Sequence, residues 1–162
     1  MLLGLPARPL WRADGCDGED LASLANRLTS DGAVPRFVST TLGSVQPAAG
    51  DAIEGDVSLE AAPAVLYDAL VLPDGDEAIS ALRADGRTLE FIKDQYRHCK
   101  PILALGAGEQ LLRACGIDVT VPDGKPDPGL IIASDTSART EDFVAAIANH
   151  RHFARETDPP RV

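Results

Sequence analysis

A chain of 162 residues carrying 15 Lys and Arg against 25 Asp and Glu has the length of one domain, and its formal charge of −10 is the wrong sign for a nucleic-acid groove. Aromatic residues make up 4%, too few to read as base-stacking platforms, and no apolar run nears the roughly 20 residues that cross a bilayer. The three cysteines, Cys16, Cys99 and Cys115, are odd in number and widely spaced, which points away from a disulfide framework and from a zinc site.

In chain order, residues 1–7 read as a leader or the edge of a domain; the apolar start through Leu10 has no basic n-region and is broken by Pro6 and Pro9, unlike a signal peptide. Arg8 to Ala13 has strand character. Asp14-Gly15-Cys16-Asp17-Gly18 is a loop whose Asp17 can cap the next helix, and Leu21, Leu24, Ala25 and Leu28 line one helical face. Asp31-Gly32 stops that helix, and Arg36 to Ser39 reads as a second strand. Thr40 to Pro63 is rich in small and polar residues; pieces around Val45 and Ile53 to Leu59, with a tip at Ala49-Gly50-Asp51, predict a small hairpin. Tyr67 to Pro73 is a strong strand signal turned by Asp74-Gly75-Asp76, with Asp76 placed to cap a short helix through Leu82. Thr88 begins a longer helix with Leu89, Ile92, Tyr96 and Cys99 at helical spacing.

Lys100-Pro101 ends that helix, because proline lacks a donor and disfavours helix in the residue before it. Ile102 to Leu105 is wholly apolar, as suits a central parallel strand buried on both faces. Gly106-Ala107-Gly108 is a tight turn, and helical rhythm resumes from Gln110 with Leu111 and Leu112 inward. Strand, sharp small-residue turn and helix make a nucleophile elbow, in which Gly106 stands where a Ser or Cys would be. The remainder reads as a brief extended piece at Val119 to Val121, a loop from Pro122 to Pro128, and a last strand from Gly129 to Ala133. A final helix is capped by Thr140, with Phe143, Val144 and Ile147 inside, and a polar, extended tail covers 151–162. Strands alternating with helices predict an α/β fold, a doubly wound parallel sheet in a three-layer single domain over 8–150.

Four stretches taken together carry a resemblance: Asp14-Gly15-Cys16-Asp17, Tyr67-Asp68-Ala69-Leu70-Val71-Leu72-Pro73-Asp74-Gly75, Tyr96-Arg97-His98-Cys99-Lys100-Pro101-Ile102 and Ala148-Asn149-His150-Arg151. In this order and spacing they resemble the C-terminal domain of large-subunit haem catalases, a flavodoxin-like domain similar to the intracellular-protease and class I glutamine-amidotransferase superfamily. The resemblance implies a parent protein that disproportionates hydrogen peroxide with haem and assembles as a tetramer, with this domain supporting stability, assembly or channel access; the acidic composition, the cysteine count and the start unlike a signal peptide point to a cytoplasmic location. The resemblance also implies that the partners are the haem core and further copies of the chain, while the acidic charge and the short apolar runs point away from nucleic acid and membrane. The family's haem ligand is a Tyr with Arg four residues before it; Tyr96 has Ile92 there and Tyr67 has Pro63, so no haem is expected in this chain.

The same resemblance places a catalytic Cys of protease-like relatives at Gly106, so Gly106, Ala107 and Gly108 read as a vestigial elbow without catalytic residues. Asp17, Cys16, Asp74 and Gly75 would line a vestigial pocket. Asp17 could face Gly106 or serve as a helix cap, and Asp74 replaces a glycine common among relatives, its charge opposing an oxyanion. Cys16 near a helix start is either an activated thiol or a bystander, and Asp14 and Asp17 disfavour the thiolate. Cys99 and Cys115 read as apolar packing residues, His150 and His152 as helix-end or surface residues, and no metal site is expected. Gly106-Ala107-Gly108 meets Leu111 where a dinucleotide fingerprint needs its third glycine. The other reading is a stand-alone protease-like superfamily member, either a small-molecule binding module or a thiol enzyme using Cys16.

Overall fold

Eight strands and five helices occupy the residues that the computed structural model describes, namely 7–12, 14–40, 44–47 and 53–156. In order these are β1 (Ala7–Arg12), α1 (Gly18–Ser30), β2 (Val34–Ser39), β3 (Ser44–Val45), β4 (Ile53–Glu54), β5 (Val57–Ser58) and β6 (Leu70–Leu72). Then come α2 (Asp76–Ala84), α3 (Gly86–Arg97), β7 (Ile102–Leu105), α4 (Glu109–Ala114), β8 (Leu130–Ala133) and α5 (Thr136–Ala148). The main sheet runs β5-β2-β1-β6-β7-β8 with every pairing parallel. Without its two-residue edge β5, this is the flavodoxin-like order, with its switch point between β1 and β6.

The middle of the sheet is apolar for the reason its sequence suggests. β6 and β7 are buried along their whole length, and their register Leu70–Ile102–Leu130 stacks them between two helical layers. α1 and α5 cover one face, and α2, α3 and α4 the other. α1 follows its pattern closely: Asp17 accepts the Asp20 N–H at 3.1 Å, and Leu21, Leu24, Ala25 and Leu28 are buried.

Several expectations are corrected. Asp76 is the first residue of α2 rather than its cap; the cap is Gly75, whose φ of +110° makes the turn out of β6. α3 starts at Gly86, because Asp85 caps it by accepting the Arg87 N–H at 3.0 Å, and it ends before Cys99, which lies at φ +57°. α5 starts four residues before Thr140, capped by Asp135 through the Ala138 N–H at 3.0 Å. Arg139 is non-helical at φ −138°, so Thr140 marks a kink inside one helix and resembles a start for that reason; its hydroxyl turns back to the Thr136 carbonyl. Val119 to Val121 is no strand and contributes one isolated bridge, Thr120 to Pro126.

In the excursion, β3 and β4 pair antiparallel as the hairpin reading requires, while its tip at 49–51 lies outside the described residues. Its extended piece does not run on to Leu59. Val57–Ser58 leave to join the main sheet beside Val38–Ser39, and 59–61 form a 3-10 turn. Nor is the start of the tail extended: 153–155 form a 3-10 turn with Arg155 buried, and the rest beyond 156 lies outside the described residues. His152 is buried too, its N–H donating to the Cys99 carbonyl at 2.7 Å and its ring Nε2 lying 3.1 Å from the Ala146 carbonyl. That replaces the helix-end or surface role expected of it.

Candidate functional site at the carboxyl edge

Three loops meet at the carboxyl edge of the sheet, those following β1, β6 and β7. Gly75 at φ +110° is pressed against the first of them: a Cβ there would stand 3.3 Å from the Cys16 Cα and closer still to the Gly15 carbonyl oxygen. Gly108 lies against the second, since a Cβ on it would reach 2.8 Å from the Pro73 carbonyl oxygen. Small residues here let three backbones approach more closely than side chains allow.

At the elbow, Gly106 takes φ +43°, and a Cβ built on it would fall among the atoms of the Asp74 carboxylate. Asp74 Oδ1 accepts the Gly75 N–H at 2.7 Å and the Ala107 N–H at 2.7 Å. Paired backbone N–H groups at such an elbow are the donors that would stabilise an oxyanion. Here they are already bonded to an internal anion, and that anion also fills the space a nucleophilic side chain would need. At this elbow, position 106 offers no attacking atom, these two donors are engaged, and a substrate oxyanion would meet a fixed carboxylate. The sequence shows that Asp74 is an acid in a glycine's place; that it reaches across to the next loop and enters the elbow is not readable from spacing.

Of the remaining pocket candidates, Gly75 and Cys16 meet there through their backbones, and Asp17 is bonded elsewhere. Asp17 is exposed and spends its carboxylate on the α1 cap, so the capping alternative stands and the acid beside Gly106 is Asp74. Cys16 is fully buried, and its loop is tied to the excursion by the Gly15 N–H donating to the Gln46 carbonyl at 3.0 Å. Grooves of about 470 Å³ between β8 and α5 and about 550 Å³ along α3 lie away from the elbow. Among the described residues no group of three His, Cys, Asp or Glu could hold a metal ion, and no helix is long and apolar enough to cross a membrane.

Cys99 and Cys115 are buried as packing residues, and burial raises both thiols, Cys115 to about 11. In the unfolded chain the Cys115 thiol ionises first, so its contribution is complete below pH 8.5 and is lost as pH rises through about 11. We expect unfolding free energy to fall across this window by about 2–3 kcal/mol more than in Cys115→Ala, measured by urea titration at pH 8, 9, 10 and 11. Parallel curves for the two proteins would remove Cys115 as the cause.

Comparison with known proteins supplies the family. The profile of the C-terminal domain found in long catalases matches residues 10–157, nearly the whole chain. This chain belongs to that family. It is 32% identical over 155 residues to catalase HPII of Mycobacterium avium, covering 90% of this chain and 22% of the relative. To catalase HPII of Pseudomonas putida it is 29% identical over 144 residues, covering 89% of this chain and 19% of the relative. The catalase C-terminal domain thus spans about a fifth of the length of these curated relatives. Among solved structures, a DJ-1 superfamily protein from Salmonella typhimurium superposes with TM-score 0.73 at 16% identity, covering 90% of each chain. Toxoplasma gondii DJ-1 gives TM-score 0.71 at 15% identity over 90% of this chain and 95% of that one. Likeness at these identities concerns the fold, and it agrees with the flavodoxin-like reading of the catalase C-terminal domain.

Proposed function

We propose that this chain is a non-catalytic accessory domain of a cytoplasmic haem catalase, contributing to the stability and assembly of a tetramer whose other domains disproportionate hydrogen peroxide. The observation that carries the non-catalytic part is the Asp74 carboxylate standing where the Gly106 side chain would be, with both backbone donors engaged. The residues present do not fit haem by the family's chemistry. Tyr67 is buried against Phe91, with ring centroids 5.9 Å apart, and Tyr96 is buried under the Arg155 guanidinium, 4.8 Å from its ring centroid. Burial raises both phenols, the reverse of what a phenolate ligand needs, and neither has the arginine four residues earlier. Haem on this reading is held by the rest of the longer polypeptide, and no step of the reaction passes through the accessory domain.

The experiment is removal of residues 8–156 from the catalase that carries them. We expect the tetramer to dissociate more readily and to melt earlier, with kcat per haem unchanged. A fall in kcat per haem in a fully assembled tetramer would give the domain a part in the chemistry. The thiol-enzyme alternative has burial of Cys16 against it. Peptidase or amidase turnover by the purified chain that is lost in Cys16→Ala would restore it.

A further inference from the structure

Five large apolar side chains are exposed among the described residues: Val34, Val65, Leu66, Val119 and Phe153. All five lie in segments at or leading to the amino edge of the sheet, opposite the elbow. Val34 begins β2, Val65 and Leu66 form the 3-10 turn at 64–66 that leads to β6, Val119 precedes the loop into β8, and Phe153 is in the last turn. Ligands of doubly wound sheets gather at the carboxyl edge; here Asp74 closes the elbow at that edge and the apolar surface is at the other. Val65, Leu66 and Phe153 are the most exposed, at 67%, 62% and 63%.

These three are held on a built platform. Lys100 is buried, and its ammonium donates to the carbonyls of Ala64 at 3.1 Å, Val65 at 3.2 Å and Tyr67. Its own carbonyl accepts Arg155 Nη1 at 2.7 Å, so one residue fixes the turn bearing Val65 and Leu66 and the turn bearing Phe153. Arg151 and Asp68, 3.9 Å apart, tie the two segments again. Apolar side chains displayed on turns held by several hydrogen bonds suit a docking surface, because less ordering entropy remains to be lost on contact.

We propose that this amino-edge surface, centred on Val65, Leu66 and Phe153, docks against the catalase portion that precedes the domain in the longer polypeptide. The proposal rests on the accessory-domain reading above. Three observations select this occupant. The matched family is described as C-terminal in long catalases, and about four-fifths of each relative's length lies outside the match. Leu10 pairs with Val71, which brings Ala7 level with Asp68, so a polypeptide arriving from the amino side enters β1 at this same edge. A preceding domain is therefore brought to the apolar surface by the connection itself, at high effective concentration.

Hydroxyl-radical footprinting of the whole haem protein tests this, with the 162-residue chain, whose core is closed among its own residues, as comparator. We expect Leu66 and Phe153 to oxidise at least fivefold more slowly in the whole protein. We also expect Leu66→Asp with Phe153→Asp to speed proteolytic release of the domain tenfold or more. A preparation without a haem Soret band removes the catalase reading, and the docking surface with it. A haem protein in which both residues label as fast as in the chain alone removes the docking surface and leaves the catalase reading standing. A 162-residue chain that sediments as a dimer with both side chains protected gives the surface to a second copy and overturns the proposal.

Discussion

Replacing Asp127 by alanine should destabilise the domain by about 3–5 kcal/mol, the range found when one partner of a buried ion pair is removed. Asp127 Oδ2 accepts Arg155 Nε, and both side chains are almost wholly out of solvent. Asp127 Oδ1 accepts the Gly129 N–H at 2.8 Å, at the entry to β8. Without the carboxylate, the guanidinium would remain buried over Tyr96 with, among the described residues, only the Lys100 carbonyl to receive it, since Nη2 has no partner among them. At roughly 2–4 °C per kcal/mol for a domain of this size, Tm should fall by on the order of 10 °C. The double variant Asp127→Ala with Arg155→Leu should recover part of the loss, because it removes the uncompensated charge. A single variant melting within about 2 °C of the parent would show that water reaches Arg155 and that the pair contributes little. The pair also anchors Phe153, so its loss loosens the amino edge along with the core.

How much of this was legible in the sequence depends on the range of the interaction. α1 reads correctly from residue pattern alone because its cap, its buried stripe and its stop all lie in one continuous segment, from Asp17 to Asp31. β7 does so because a strand covered on both faces must be apolar at every position. β5 lies inside the extended piece read over Ile53 to Leu59, but its place in the main sheet is missed, because nothing in Val57 and Ser58 themselves names the edge of β2 as their partner. The start of α5 is misplaced because Ser134, Asp135, Thr136, Ser137 and Thr140 all have capping chemistry, and only the kink at Arg139 separates start from interior. The tail is misread as extended because Arg155 looks solvated in sequence; its partners are Asp127, 28 residues away, and Lys100, 55 residues away. The elbow shows the same division. Its backbone is written in Gly106-Ala107-Gly108, whereas what closes it arrives from Asp74, 33 residues earlier.

Closure of the elbow can be tested by refilling it. Gly106→Ala should lose about 1–2 kcal/mol for a left-handed residue with a Cβ and a further ~1–3 kcal/mol for overpacking against the Asp74 carboxylate. Asp74→Ala should lose about 1.5–3 kcal/mol, the range for hydrogen bonds to a charged group, since the Gly75 and Ala107 N–H groups would be left to water. If the two side chains compete for one space, the double variant must be less damaged than the sum, by at least about 1 kcal/mol, because removing the carboxylate removes the overlap. Additivity within about 0.5 kcal/mol would place Asp74 outside the elbow and reopen the question of what binds the two donors. The same logic extends to chemistry. Gly106→Cys with Asp74 retained should leave a thiol displaced by a carboxylate and disfavoured as a thiolate. In an Asp74→Gly background the thiol would face two free backbone donors, and iodoacetamide should alkylate it at least tenfold faster at pH 7. A nucleophile at 106 and an acid at 74 are thus mutually exclusive on this backbone, so regaining a thiol site would take both changes together.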